Sequence, residues 1–277
     1  ITNNPGGYRL YKSGAKGRFL RLRFNSVPMD QPGRYFYLRD KQNGDFWSAS
    51  WQPVGKPLDQ YTSTCRHGTA YSVIESEYTG IATEATYFVP LGESFEYWKL
   101  KVTNQSDRPR DLSVFSFCEF TNQWNTTQDQ VNLQYSLFIV KGEKIKNDLL
   151  RISIQDNLTA QADRFDQNDA GMHSWMGLIG APVSKFDTSR QAFLGTYGDY
   201  RNPEAVIRGS CSNSRAYGDN ACGSYQVDLE LQPGETREIL VLLGIGDART
   251  VGQKTFSEYG NFERAEEELN VVKHHWH

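Results

Sequence analysis

Two short segments of the chain combine tryptophan with side-chain amides. Residues 46–52 read Phe-Trp-Ser-Ala-Ser-Trp-Gln, and residues 122–128 read Asn-Gln-Trp-Asn-Thr-Thr-Gln. A tryptophan face stacks on a sugar ring, and Asn and Gln amides both donate and accept hydrogen bonds, which suits hydroxyl groups. Taken alone, each segment is more typical of tryptophan packed at the rim between two sheets. Together they are the candidates for a carbohydrate contact.

Cys65 and His67 form the cluster that most resembles a nucleophile and its base. A Cys–His pair can act in nucleophilic catalysis when the two side chains lie within hydrogen-bond reach. We expect no such pair, on the argument that adjacent strand residues point to opposite faces, and interpret His67 as bonding a backbone group. His173 is expected to pack within a strand. The histidines of residues 274–277 are interpreted as a frayed end rather than a metal site.

Acidic residues could hold calcium or cleave a glycosidic bond. Residues 163–169 carry three aspartates but lack the Asp-x-Asp-x-Asp-Gly order of a calcium loop, so we interpret them as a solvated loop. Glycoside hydrolysis needs two carboxylates whose spacing is set by the fold. The sequence offers four candidate carboxylates without showing which of them could pair: Glu75, Glu77, Glu84 and Glu119. The sequence contains no phosphate-binding glycine loop and no Gly-x-Ser-x-Gly motif.

The composition excludes several kinds of partner. The net charge is −3 and the isoelectric point is about 6.0, so no basic field attracts nucleic acid or an anionic membrane. The longest apolar run, residues 239–243, is too short to span a bilayer. The four cysteines have no Cys-x-x-Cys spacing, and although Cys211 and Cys222 could bridge, we expect reduced thiols. We therefore expect a cytoplasmic location and no metal or other cofactor.

Alternation of aromatic and polar residues indicates a β-rich fold. Aromatic residues make up 13% of the chain, and many alternate with polar ones, as in half-buried strands. In residues 96–102 this alternation puts Trp98 and two aliphatic residues on one face. Asn-Gly at residues 43–44 predicts a type I′ hairpin turn with two positive φ angles, and Pro-Gly at residues 233–234 predicts a type II turn. About fifteen strands are expected, so the predicted fold is all-β, a large antiparallel two-sheet sandwich.

The pattern changes after Phe256. Apolar residues then recur at steps of three and four between glutamates, which predicts an amphipathic helix capped by Asn261. We divide the chain into a β-sandwich domain, residues 1–256, and the start of a helical linker, residues 257–277. The chain begins without methionine and stops within this helix. From this we expect one domain of a larger enzyme.

Several short motifs recur in the same order and spacing in one known family. They are Gly6-Gly7-Tyr8, residues 21–28, Gly33-Arg34-Tyr35-Phe36-Tyr37, Phe46-Trp47-Ser48 with Trp51-Gln52-Pro53-Val54, Cys65-Arg66-His67-Gly68, Phe88-Val89-Pro90, Phe115-Ser116-Phe117, Gly195-Thr196-Tyr197-Gly198 and Leu231-Gln232-Pro233-Gly234-Glu235. On these motifs the whole chain resembles the N-terminal β-domain of inverting β-glucoside phosphorylases of the cellobiose phosphorylase type. The resemblance implies a galactose-mutarotase-like super-sandwich, then a helical linker and a catalytic (α/α)6 barrel.

The resemblance also implies a reaction. Enzymes of this family cleave a β-glucosidic bond with inorganic phosphate as co-substrate and release α-glucose 1-phosphate and an acceptor sugar. An aspartate general acid protonates the leaving oxygen, and phosphate replaces the water and base of a hydrolase. Both the acid and the phosphate site lie in the barrel, so no catalytic residue is expected in this chain. A homodimer is expected, with the sandwich near the partner subunit.

One sugar contact is implied for the sandwich itself. In the family, a Gln-Arg pair on a strand after a Trp-Asn segment reaches the bound disaccharide. Trp124 and Asn125 match that segment, Gln134 matches the glutamine, and Tyr135 stands where the arginine would be. An aromatic ring with one hydroxyl would thus replace a guanidinium fork. A cellobionic acid or laminaribiose phosphorylase is then as compatible with the residues as a cellobiose phosphorylase.

Two other classes of protein remain open. A free-standing carbohydrate-binding sandwich would use the same aromatic surface without a catalytic barrel. An epimerase of the mutarotase type shares the sandwich topology, and it needs a histidine and a glutamate that converge in the concave sheet.

Overall fold

The computed structural model describes residues 1–7, 9–10, 18–21, 30–121, 140–154 and 173–276. Its strands are β1 Arg9–Leu10, β2 Arg18–Leu20, β3 Tyr35–Asp40, β4 Phe46–Ser48, β5 Tyr61–Gly68, β6 Tyr71–Tyr78, β7 Ile81–Phe88, β8 Phe95–Asn104, β9 Arg110–Glu119, β10 Val140–Lys144, β11 Leu150–Ile154, β12 His173–Ile179, β13 Val183–Ser189, β14 Ala216–Tyr217, β15 Ala221–Leu231 and β16 Thr236–Ile245. β1 and β2 pair with each other, and the remaining strands form two antiparallel sheets.

Among the described strands, the large sheet has the order β14-β10-β11-β12-β16-β8-β7-β6-β5 and the small sheet the order β13-β15-β9-β3-β4. The run β5 to β8 is a meander, because each strand pairs with the next one in sequence. Tight turns make this possible: Thr79 and Gly80, between β6 and β7, take left-handed φ angles of 53° and 77°. Elsewhere in the large sheet, β10 and β11 also pair as neighbours in sequence, whereas β8 pairs with the distant β16.

The main core lies between the two sheets. Trp98, Leu100 and Val102 of β8 point into it and have no exposed surface, as the alternation in residues 96–102 predicts. Tyr97, on the opposite face of the strand, is also fully buried. The large sheet is therefore covered on both faces at β8.

Two short helices cover the outer face of the small sheet. They are α1 (Arg190–Leu194) and α2 (Glu204–Arg208). Phe193 of α1 stacks on Phe117 of β9 with ring centroids 4.7 Å apart, and it belongs to a second apolar cluster below the helices. The Ser189 side chain caps α1 by accepting a hydrogen bond from the Ala192 N–H.

Helices also cover part of the outer face of the large sheet. After β16 come a π-helical turn (Ala248–Gly252), α3 (Gln253–Tyr259) and α4 (Phe262–Trp276). Leu269 of α4 is buried in a third apolar cluster that includes Tyr97 from the sheet below. This packing stabilises α4, since an isolated helix of its length is marginal in water.

The predicted super-sandwich and its terminal helix are confirmed. Asn261 caps α4, because its Oδ1 accepts a 2.7 Å hydrogen bond from the Arg264 N–H. The type II turn is confirmed as well: Gly234 has φ +76°, and the Glu235 N–H donates to the Gln232 carbonyl at 2.9 Å.

One local prediction is wrong. Gly44 has φ +77° but Asn43 has no positive φ, so the turn is not type I′. The strands part earlier than that turn requires, and a longer loop is closed by a 2.8 Å hydrogen bond from the Asp40 N–H to the Asp45 carbonyl. The C-terminal helical elements start at the π-helical turn that follows β16. The division of the chain at residue 256 stays a prediction.

All four cysteines are free thiols, as expected, and three of them are buried: Cys118, Cys211 and Cys222. Within the described parts of the chain, no helix combines the length and the apolar character needed to cross a membrane.

Candidate functional site

The sequence-predicted sugar-binding residues, Trp124, Asn125, Gln134 and Tyr135, all lie outside the described residues. The strands on either side of them are described. β9 of the small sheet ends at Glu119 and is followed by a bridge between Phe120 and Leu20, and the large sheet resumes at β10. The described chain leaves the small sheet at the end of β9 and enters the large sheet at β10, so the end of β9 is the described anchor that precedes the predicted sugar contacts in sequence.

A buried ionic cluster holds that anchor in place. The Glu119 side chain has no exposed surface, and its Oε1 accepts a 2.9 Å hydrogen bond from Arg21 Nη1. Its Oε2 accepts from Arg190 Nε at 2.9 Å and from the Tyr200 hydroxyl at 2.5 Å. Arg21 reaches on to Asn220 Oδ1 at 2.9 Å, just before β15. We call Arg21, Glu119, Arg190 and Tyr200 the Glu119 cluster.

The charges of the Glu119 cluster support each other. Burial by itself would lower the pKa of Arg190, but Glu119 and Tyr200 raise that pKa above its usual range. The Arg190 guanidinium also lies over the Tyr200 ring, 5.7 Å from its centroid. With both carboxylate oxygens occupied by donors, Glu119 is a structural anchor rather than a group that exchanges protons with a substrate.

The other loosely proposed carboxylates lie on the outer face of the large sheet. Glu75 and Glu84 stand directly opposite each other on β6 and β7. Arg66 Nη2 lies 2.8 Å from Glu75, and Lys101 Nζ lies 3.2 Å from Glu84. Glu77 accepts a 3.2 Å hydrogen bond from the Gly80 N–H. The three glutamates line an open pocket of about 360 Å³, but Glu75 and Glu84 are held there in half-exposed ion pairs, as is typical of a solvated sheet face.

The prediction that Cys65 and His67 cannot meet is wrong. The residues are two apart in β5, so their side chains share a face, and Cys65 Sγ lies 3.4 Å from His67 Nε2. His67 Nε2 also lies 2.8 Å from Asn3 Oδ1, and Nδ1 lies 2.8 Å from Ser72 Oγ. His67 thus bonds side chains rather than a backbone group.

The chemistry of this pair nevertheless argues against a thiol nucleophile. Burial raises the pKa of the Cys65 thiol, whereas an active nucleophile needs a lowered one. Cys65 and Asn3 also share one imidazole nitrogen, so Asn3 does not orient the ring from the far side as the third member of a triad would. The same contacts occupy both nitrogens of His67. An epimerase of the mutarotase type needs a histidine that can act on the sugar, and His67 is not available for that role.

His173 packs at the start of β12, as expected, and it is half-buried. Burial lowers its pKa, and the nearby Arg151 guanidinium lowers it further. Arg151 itself is held by Asp247, whose Oδ2 accepts from Nε at 2.8 Å and from Nη2 at 2.7 Å. In the described part of the chain, no three His, Cys, Asp or Glu side chains converge as metal ligands.

Sequence reasoning missed the partners of Glu119. Arg21 and Arg190 lie 98 and 71 residues from it in the chain. No local spacing or periodicity connects residues so far apart, and only the pairing of β9 with its neighbours brings them together. The one available signal was the charged side chain itself, which follows the apolar residues Phe117 and Cys118 at the end of β9.

A sequence profile of the "Glycosyl hydrolase 94, supersandwich domain" matches residues 1–262, so the chain belongs to this family of β-sandwich domains. The chain is 37% identical over 276 residues to N,N′-diacetylchitobiose phosphorylase of Vibrio furnissii, covering 100% of this chain and 33% of that protein. It is 32% identical over 224 residues to solabiose phosphorylase of Paenibacillus borealis, covering 80% of this chain and 27% of that protein. The chain therefore spans about a third or less of these relatives.

A solved structure supports the fold. The structure of a candidate kojibiose phosphorylase from the human microbiome superposes with a TM-score of 0.50 at 10% identity, covering 98% of this chain and 31% of that one. At this identity the likeness concerns the fold alone. The family match confirms the resemblance that the sequence motifs indicated.

Proposed function

We propose that this chain is the non-catalytic N-terminal domain of a β-glycoside phosphorylase, in which it contributes to sugar binding and dimer assembly. The observation that carries the proposal is the alignment of the whole chain with 33% of an N,N′-diacetylchitobiose phosphorylase. The carboxylates of the sandwich support a non-catalytic role. Glu119 is enclosed by donors, and Glu75 and Glu84 are paired with cations. The general acid and the phosphate site then belong to a separate (α/α)6 barrel.

The proposed reaction is phosphorolysis of a β-linked disaccharide. Inorganic phosphate attacks the anomeric carbon, the bond to the leaving oxygen breaks, and a general acid gives that oxygen its proton. The products are an α-sugar 1-phosphate and the acceptor sugar. Cellobiose, cellobionic acid and laminaribiose are candidate substrates, and the named activity of the Vibrio furnissii relative adds N,N′-diacetylchitobiose. Phosphate is the co-substrate, and no further cofactor is proposed.

We propose Gln134 as the sugar contact of this domain, with Tyr135 beside it and with Trp124 and Asn125 shaping the same face. A neutral amide can bond a sugar hydroxyl as donor and as acceptor. The Glu119 cluster supports this role, because it fixes the strand end from which the segment departs.

Gln134→Ala tests the contact in the longer protein that contains this chain. Leaving a sugar hydroxyl unpaired costs about 1–3 kcal/mol, so kcat/KM should fall by about one to two orders of magnitude. The melting temperature should not fall, and Gln60→Ala, at an exposed glutamine of the sandwich, should leave the kinetics unchanged. Tyr135→Arg should shift acceptor preference toward cellobiose. Unchanged kinetics for Gln134→Ala would remove this residue from the sugar site.

We also propose that the intact protein is a homodimer with the sandwich near the partner subunit. Val271 and Trp276 of α4 are about half exposed, and apolar surface of this kind favours association. Sedimentation equilibrium should give twice the subunit mass, and a strict monomer at micromolar concentration would contradict the proposal.

The proposal includes a cytoplasmic location, which the four free thiols support.

A further inference from the structure

The loop between α1 and α2 presents an aromatic ring to solvent on a rigid support. Tyr197 in this loop is fully exposed. The loop begins where the Gly195 N–H donates to the Gln191 carbonyl at 2.8 Å. It ends at Tyr200, whose carbonyl accepts a 2.8 Å hydrogen bond from the Tyr37 hydroxyl inside the protein. Tyr197 therefore stays exposed although both ends of its loop are fixed.

Two details restrict the loop further. A Cβ added at Gly198 would collide with the Leu194 carbonyl, so the backbone after Tyr197 passes against the end of α1. Asp199 Oδ1 then accepts hydrogen bonds from the Arg201 N–H at 2.8 Å and the Asn202 N–H at 3.0 Å. The backbone that carries Tyr197 therefore loses little conformational entropy when a ligand stacks on the ring.

A polar pocket of about 330 Å³ adjoins this loop, between α1 and α2. Its polar lining consists of Ser189, Gln191, Thr196, Glu204, Arg208 and Ser212. Gln191 Nε2 donates to Thr196 Oγ1 at 3.2 Å, and Arg208 Nη1 lies 3.6 Å from Glu204 Oε1. Glu204 also packs on the bare backbone of Gly195, where a Cβ would displace its carboxylate.

The lining groups match an uncharged ligand with many hydroxyls. Hydroxyl, amide, carboxylate and guanidinium groups supply both donors and acceptors, and the Glu204–Arg208 pair leaves the pocket without net charge. A phosphate or a nucleotide would meet a carboxylate as well as a guanidinium here, which disfavours it. The volume is near the lower end of the range for small-molecule pockets, about 300–1,000 Å³.

We propose that Tyr197 and this pocket form a saccharide-binding subsite on the outer layer of the small sheet. The Tyr197 ring stacks on the apolar face of one sugar unit, and the pocket groups beside Thr196 bond the hydroxyl or acetamido groups of that unit or the next. The subsite consists of described residues of this chain alone. It goes beyond the proposed function, because it requires neither a catalytic barrel nor the contact at Gln134.

The test is a titration of the 277-residue chain with cellotetraose and with tetra-N-acetylchitotetraose, followed by isothermal calorimetry. One of the two sugars should bind saturably in the millimolar range, as expected for a small exposed site. Tyr197→Ala should weaken that binding at least tenfold, and Tyr197→Phe should retain it because the ring still stacks. Glu204→Gln should also weaken it.

Tyr217→Ala is the matched control, because Tyr217 is an exposed tyrosine on the edge strand β14 of the other sheet. It should leave the binding unchanged, and all variants should melt within a few degrees of the parent. The proposal is overturned if neither sugar binds saturably, or if Tyr197→Ala leaves the binding intact. It is also overturned if Tyr197→Ala changes the oligomeric mass rather than the affinity, which would make this surface a protein contact.

Discussion

Buried ion pairs connect parts of this chain that are far apart in sequence. Arg34 Nε lies 2.5 Å from Glu96 Oε1, which ties the residue before β3 of the small sheet to β8 of the large sheet. Burial would lower the pKa of Arg34, but Glu96 raises it above its ordinary value. Such pairs contribute little net stability compared with apolar residues, yet removing one partner leaves the other charge buried and unpaired.

Glu119→Gln tests the most connected of these sites. Gln keeps the size of the side chain but removes the charge that Arg21 and Arg190 face. We expect a loss of about 3–5 kcal/mol in the free energy of unfolding, measured by urea denaturation. Glu267→Gln, which removes a 3.6 Å pair with Arg264 on the exposed face of α4, should cost less than about 1 kcal/mol. Equal losses in the two variants would show that Glu119 is not an anchor.

At the scale of the elements, the junction of β11, β12 and the turn after β16 leads the chain into its C-terminal helices. Asp247 holds Arg151 of β11 and also caps the π-helical turn, since its side chain accepts a hydrogen bond from the Arg249 N–H. Burial would raise the pKa of Asp247, but Arg151 and the backbone keep that pKa below its usual value. His173 of β12 lies beside this pair, and its buried Nδ1 has no hydrogen-bond partner among the described residues.

The junction should weaken in mild acid. Because the pKa of His173 is lowered from 6.5 in the folded chain, the folded state favours the neutral ring. The stability this provides is present above about pH 6.5 and is lost as the pH falls through the folded pKa. Asp247 stays ionised in this range, since its pKa lies below 3.8. Because Asp247 keeps its charge, protonation of His173 itself is the main change at this junction in mild acid.

Thermal melts from about pH 7.5 to about pH 5 measure this effect. The melting temperature of the parent chain should fall more steeply with acid than that of His173→Gln. His274→Gln, at an exposed histidine of α4, should behave like the parent. Identical pH dependence for His173→Gln and the parent would contradict the assignment.

For the whole molecule, strand periodicity was enough to predict the two-sheet fold. The alternation around Trp98 placed one face of β8 in the core, and the capped periodic pattern after Asn261 predicted α4. The helices α1 and α2 escaped prediction because a five-residue helix is too short to show a period.

The candidate sites depended on contacts that no pattern encodes. The Glu119 cluster joins residues from β9, α1 and two loops, so only the assembled fold brings them together. The pocket beside Tyr197 is likewise formed by side chains of α1, α2 and the loops next to them. The Cys65–His67 contact could have been predicted, because residues two apart in a strand share a face.

We infer that this sandwich serves a phosphorylase whose chemistry lies in another domain. The most direct test is a coupled assay for phosphate-dependent release of a sugar 1-phosphate. It would use N,N′-diacetylchitobiose, cellobiose, cellobionic acid and laminaribiose, with the 277-residue chain and with the proposed longer protein. We predict release by the longer protein from at least one of these sugars, only when phosphate is present, and none by the 277-residue chain. Phosphate-dependent release by the 277-residue chain alone would contradict the account.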